Sequence, residues 1–227
     1  MKRTLNIFFR LFLVIVFFTP LTVSSQIGTS DNSVGQIIRK SGRVFIIRKG
    51  KAIPVNNFGA LFQNEDKIKT DKNGKAKLSF DNGDEVFLAP STEITVNEDD
   101  FSSQKKGVNS FLLSVWGKIR AKVRKSSDKE LRVKTVTATI GIKGTDFIVD
   151  YSVSDRKTTV GTLKGLVSLQ SNKTRKVVNI PANKQTSVPA NGEILPLSAF
   201  SGVLLKGVEF AGESMEEEDF MGGKLKM

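Results

Sequence analysis

The sequence predicts an all-β domain, built either as a two-sheet sandwich or as a β-roll or solenoid-like stack of many short strands. Three observations carry that expectation. From Gly35 onward, short runs of alternating apolar and polar residues recur about every ten residues, each bounded by Gly, Asn, Asp or Pro. Within runs such as Val44–Ile47, Ala76–Phe80, Glu93–Val96, Lys118–Val123 and Asp146–Tyr151, small or charged residues alternate with apolar ones, as in a strand with one wet face. Finally, the segment 35–190 contains no convincing helical pattern of ten or more residues.

In chain order, residues 1–25 read as an export signal and are set aside from the fold. Lys2 and Arg3 give a positive start, Leu11–Phe18 is unbrokenly apolar, Thr19-Pro20 breaks the run, and Val23 and Ser25 are small residues before a cut at Gln26. A spanning helix needs roughly 20 apolar residues, more than this run supplies, so cleavage is the first expectation and retention as an anchor the second. A lipoprotein signal is excluded because the chain has no cysteine. Export places the domain in the periplasm or at the cell surface, or secretes it. Residues 26–34 form a polar entry segment, 35–196 the β domain, 197–212 an apolar extension that docks on it, and 213–227 a disordered acidic tail containing Glu216, Glu217, Glu218 and Asp219.

The turns carry their own chemistry. Asp81-Asn82-Gly83-Asp84 separates two alternating runs, and Asn82-Gly83 tolerates the positive φ of a tight hairpin turn. Asp71–Gly74 is a second such turn, so residues 66–97 read as a small meander. Residues 98–107 and 126–129 read as polar connections.

Composition excludes most catalytic chemistry. The chain of 227 residues has no histidine and no cysteine, so it has no Ser-His-Asp or Cys-His nucleophile, no Cys or His zinc site and no disulfide. Carboxylates of 81–85 and 98–100 lack the spacing of a calcium loop. Gly141-Ile-Lys-Gly144-Thr145 lacks the lysine and four-residue gap of a phosphate loop. One Trp and one Tyr are too few for a stacking platform on single strands, and Trp116 is read as core. The expectation is a non-enzymatic protein with no cofactor, no metal and no nucleic-acid partner, its oligomeric state open.

The formal net charge is +12, and part of it is concentrated. Lys118, Arg120, Lys122 and Arg124 alternate with Ile119, Ala121 and Val123, which puts four cations on one strand face at about 7 Å intervals. Arg132 and Lys134 follow close by. Like charges in a row repel unless anions or neighbouring carboxylates compensate. These six residues are therefore the candidate face for an anionic partner, with a solvated face or a lysine-guarded edge strand as the alternative.

An ordered set of motifs then identifies the chain as similar to the FecR family. It runs through Gly35-Gln-Ile-Ile, Ser41-Gly42-Arg-Val, Leu61–Thr70, Gly74–Leu78, Phe80–Thr92, Val133–Phe147 and Thr159–Val167, and covers roughly residues 34–190. The resemblance implies an exported, stand-alone domain that works by protein interaction in the cell envelope, as signalling element or scaffold. Binding of lipopolysaccharide or another anionic glycan through the basic strand is the alternative. It marks Gly83, Thr135, Gly141, Gly144, Thr145, Phe147 and Gly165 as structural, with Gly141 and Gly144 at a tight bend whose backbone Thr145 bonds. Two departures stand out. Val136 replaces the family's usual proline, and Lys143 replaces an arginine, which removes a bidentate carboxylate fork. Family regulators carry a cytoplasmic segment before a membrane helix; only about ten residues precede the apolar run here, so direct sigma-factor control is not expected.

Overall fold

A computed structural model describes residues 33–98, 111–125 and 131–209. The export signal, the entry segment up to residue 32, the connections at 99–107 and 126–129 and the acidic tail lie outside the described residues.

Among the described residues, seventeen short strands form two facing sheets. In chain order they are β1 (Ser33–Ser41), β2 (Val44–Arg48), β3 (Lys51–Pro54), β4 (Ala60–Gln63), β5 (Lys67–Thr70), β6 (Lys75–Phe80), β7 (Glu85–Leu88), β8 (Glu93–Glu98) and β9 (Phe111–Lys122). They continue as β10 (Leu131–Lys134), β11 (Ala138–Ile142), β12 (Asp146–Ser152), β13 (Lys157–Lys164), β14 (Leu166–Ser171), β15 (Val177–Pro181), β16 (Lys184–Val188) and β17 (Ser198–Ala199). The front sheet runs β4-β1-β6-β7-β9-β12-β13-β16-β17. The back sheet runs β3-β2-β5-β8-β9-β10-β11-β14-β15. Every pairing is antiparallel except β9 with β10, which is parallel.

The strand β9 belongs to both sheets. Residues Phe111 to Trp116 pair with β8 at the back, and Gly117 to Lys122 pair with β12 at the front. The switch falls on Gly117 at φ +103°, a conformation that a side chain resists. Thr92 braces the switch: its Oγ1 accepts from the Lys118 N–H and donates toward the Lys118 carbonyl, both at 3.1 Å. A side-chain hydroxyl thus supplies the ladder bonds where the backbone changes sheets.

The alternation read from the sequence becomes the core. Ile37, Leu78, Val86, Ile119, Ala121, Phe147 and Val149 from the front sheet meet Ile68, Ile94, Leu113, Leu131, Val133, Ile140 and Leu169 from the back, all essentially without exposure. Phe80 links the layers, edge-on to Phe62 at 5.2 Å and tilted against Phe111 at 5.0 Å.

The Asn82-Gly83 turn makes the expected hairpin: β6 pairs with β7, Gly83 has φ +85°, and Asn82 Oδ1 accepts from the Asp84 N–H at 2.9 Å. The expected meander over 66–97 does not form. The Asp71–Gly74 turn carries the chain from the back sheet to the front, so β5 pairs with β8 around the β6–β7 hairpin. Period-two alternation fixes which side of a strand is apolar but not which sheet receives it.

Residues 198–209 form a strap over the outer face of the front sheet. β17 pairs with β16, and a single 3₁₀ turn at Gly202–Leu205 follows, with Ser201 Oγ accepting from the Val203 N–H at 3.3 Å. Phe200, Leu204 and Val208 pack on Ala89, Ile148 and Leu163 in a second apolar cluster. Gly161 lets them approach: a Cβ there would sit 2.6 Å from the Phe200 ring. Lys118 Nζ then donates to the Lys206 carbonyl at 3.4 Å and Lys75 Nζ to the Glu209 carbonyl at 2.8 Å. The strap's contacts run from β13 through β12 and β9 to Ala89, just past β7, and to Lys75 at the start of β6.

Candidate functional site

The six cations singled out in the sequence do not form one face. Ile119 and Ala121 point into the core, so Lys118, Arg120 and Lys122 point outward on the front sheet, as the alternation requires. Arg124 lies past the end of β9, where its N–H reaches Asp84 Oδ1 at 3.0 Å and its guanidinium rests on Gly83. Arg132 and Lys134 stand on β10 beside Leu112 and Ser114, in the half of β9 that belongs to the back sheet. Sequence proximity was misleading here because β10 runs parallel to β9 and pairs with its beginning rather than its end.

The front-sheet cations are compensated within the fold. Arg120 holds Asp146 through a bidentate fork, Nε to Oδ1 at 2.9 Å and Nη2 to Oδ2 at 2.7 Å, with the arginine 7% exposed. Lys118 Nζ lies 3.1 Å from Asp150, and Lys77 Nζ lies 3.3 Å from Glu85. Phe87 receives Lys77 at 4.8 Å and Lys122 at 5.8 Å over its ring. Of the six, Lys122 is exposed at the end of β9, Arg124 just past it, and Lys134 on the other sheet.

The motif residues build turns and braces, with two corrections. Thr135 Oγ1 accepts from the Ala138 N–H at 3.0 Å and meets the Thr158 hydroxyl at 2.7 Å, which also meets Thr137 at 2.6 Å. This buried threonine cluster ties the β10–β11 connection to β13. Gly144 has φ +65° with the Lys125 backbone against it, and Gly165 has φ +86° against the Thr145 methyl. Gly141, expected at the bend, is instead mid-strand between Arg132 and Ser168. The Thr145 hydroxyl, expected to bond the backbone, is buried without a partner among the described residues. The bend is closed by the Thr145 carbonyl, which accepts from Val123 N–H at 2.8 Å. Phe147 is fully buried, and Lys143 is exposed, so no arginine-like fork forms there. A second fork besides Arg120 on Asp146 sits elsewhere: the half-buried Arg48 grips Asp66 at 2.7 and 2.9 Å, and this hydrogen bond raises the arginine's pKa above its ordinary value.

The sequence reading missed a concave site among the described residues. Where β9 changes sheets, an open groove of ≈ 680 Å³ runs between Lys69–Lys72, Ser91–Glu93, Trp116-Gly117, Tyr151 and Val153. Trp116, expected in the core, is 48% exposed, and Val153 is 62% exposed. The chain's one Trp and one Tyr meet edge-on here at 5.3 Å. The signal for it was parity: Trp116 shares the outward register of Lys118 and Arg120. Asp71 and Glu93 on the groove wall are held by cations, Asp71 by Arg43 at 2.8 Å and Glu93 by Lys69 at 3.4 Å and Lys67 at 3.8 Å. The Arg43 hydrogen bond holds the Asp71 carboxyl below the usual carboxylate range. Among the described residues no group of three or more acidic side chains could hold a metal ion.

Residues 66–168 match the family model described as FecR protein. Two crystal structures of a candidate anti-sigma factor from Parabacteroides distasonis ATCC 8503, at 1.65 and 2.50 Å resolution, share the fold with a TM-score of 0.50 at 21% identity. Each superposition covers 59% of this chain and 59% of the neighbour, so the chain spans well under two thirds of the neighbour's length. No curated protein matches the chain. The matched segment begins at Asp66, whose carboxylate Arg48 holds, and ends within β14, taking in the hairpin at Gly83, the switch at Gly117 and the threonine cluster. Over residues 66–168, therefore, this chain is similar to the FecR protein family.

Proposed function

We propose that this chain is exported and that its FecR-like domain works in the cell envelope as a non-enzymatic protein-interaction module, in signalling or as a scaffold. The observation that carries the reading is the FecR match over 66–168. The groove at Trp116 supplies a surface suited to it, because exposed Trp and Tyr side chains give large contact area at low entropic cost and dominate protein interfaces. The competing reading, an acidic polymer held by the basic strand, loses weight because Lys118 and Arg120 already hold Asp150 and Asp146.

The test is crosslinking in intact cells, followed by purification of the domain and mass spectrometry of what is attached. The expected result is one dominant envelope protein at fixed stoichiometry, retained in a few hundred millimolar salt. Recovery of acidic glycan without such a protein, released by the same salt as screening predicts, would overturn the reading in favour of the polymer.

A further inference from the structure

We propose that the Trp116 groove is filled by the chain's own acidic C-terminal segment, residues 213–221. The inference goes beyond the envelope reading and stands whether the outside partner is a protein or a polymer. Three observations carry it: the groove's charge, its apolar walls and the place where the strap leads.

The charge is unbalanced. Lys69 and Lys72 line the groove, and Arg43 and Lys67 stand behind its two carboxylates, Asp71 and Glu93. Three cations thus already pair with the two carboxylates, and Lys72 adds a fourth positive charge. Lys72 is exposed and has no ion-pair partner among the described residues. The missing complement is an anion, and residues 213–221 carry Glu213, Glu216, Glu217, Glu218 and Asp219. Opposite charges at a groove that partly excludes water attract more strongly than in bulk solvent.

The walls are apolar at the mouth. Trp116 and Val153 expose large surfaces there, in a molecule that buries Phe62, Phe80, Phe87, Phe111 and Phe147. The same tail segment interleaves its acids with Met215, Phe220 and Met221, so its composition fits both the rim and the walls. Methionine in particular packs well against aromatic rings.

The strap delivers the segment to the place. Gly207 lies against Ala89 and Pro90, and Pro90 immediately precedes Ser91 of the groove wall. The Glu209 carbonyl is held by Lys75, which follows Lys72 across the Asp71–Gly74 turn. From Glu209 to Met215 an extended chain covers up to roughly 20 Å, enough to enter the groove without disturbing the strap. A groove filled in this way must be vacated before any outside partner uses it, so the tail would set the partner's apparent affinity.

Trp116 reports on this directly, because it is the chain's one tryptophan. The measurement is acrylamide quenching of Trp116 fluorescence in the full chain and in a variant ending at Glu209, which keeps the strap. The expected result is at least a twofold larger quenching constant and a red-shifted emission in the shortened chain. A full-length variant with Glu216→Gln, Glu217→Gln, Glu218→Gln and Asp219→Asn should behave like it. A synthetic peptide of residues 210–221 added to the shortened chain should restore the protection. Equal quenching in the full and shortened chains overturns the proposal, whatever partner is found in cells. Protection that appears only with rising protein concentration overturns it too, in favour of a second copy's tail.

Discussion

Asp71 joins a turn, an ion pair and a groove in one side chain. Its Oδ1 accepts from the Asn73 N–H at 3.1 Å, closing the turn that carries the chain between sheets, while Oδ2 accepts from Arg43 Nε at 2.8 Å. The Arg43 hydrogen bond is the larger cause of its lowered pKa. A carboxyl whose folded pKa lies below its unfolded value adds stability that is fully present above the unfolded value and lost as pH falls through the folded one. Arg43→Gln should therefore return the Asp71 carboxyl toward the ordinary carboxylate range, about 3.9 in unperturbed peptides, as read from the carboxyl carbon shift by NMR. An unmoved titration would mean that the turn N–H alone sets it. The turn was legible in Asp71-Lys-Asn73-Gly74, because local bonding of Asp and Asn is a short-range property. Its partner was not, since Arg43 is 28 residues away and no local rule links them.

At the scale of the element, β9 decides the architecture. Its outward register at Lys118, Arg120 and Lys122 followed from alternation alone, but its bend did not. Glycine before an apolar run reads as a strand start, whereas Gly117 sits inside the longest strand and turns it from one sheet to the other. The difference comes from Thr92, far off in sequence, whose hydroxyl serves Lys118 and leaves no room for a Cβ: one built on Gly117 would lie 2.8 Å from Thr92 Oγ1 and 3.0 Å from the Ser91 carbonyl. Gly50 supplies the comparison, with φ +78° and open space around its Cβ position. Gly50→Ala should cost only the left-handed backbone strain, about 1–2 kcal/mol. Gly117→Ala adds a collision with backbone and with a working hydroxyl, and should cost at least about 1 kcal/mol more. Urea unfolding of the two variants measures the difference. Equal losses would mean that the switch has slack and that Thr92 is not a tight brace.

For the whole molecule, the question is whether the strap belongs to the core or rides on it. The main core draws all its buried members from residues up to Val188, and none from the strap. The strap instead forms its own small cluster, with Leu204 and Val208 buried against Ala89, Ile148 and Leu163. The two sheets should consequently survive its loss. A chain ending at Leu197 is expected to keep a β-rich circular dichroism spectrum and a cooperative unfolding transition. It should lose about 3–6 kcal/mol, since two buried aliphatic side chains and part of Phe200 go, each worth about 1.5–3 kcal/mol when fully buried. Leu204→Ala isolates the contact without shortening the chain and should cost about 2–3 kcal/mol, at the low end for a buried leucine because the site lies on an outer face that can relax. Val203→Ala, at a position 63% exposed, should cost little. If the shortened chain fails to fold while Leu204→Ala is mild, the strap acts through β17 pairing at the sheet edge. If both are mild, the strap is held mainly by the bonds that Lys75 and Lys118 make to its backbone, and it can lift from the front sheet at little cost.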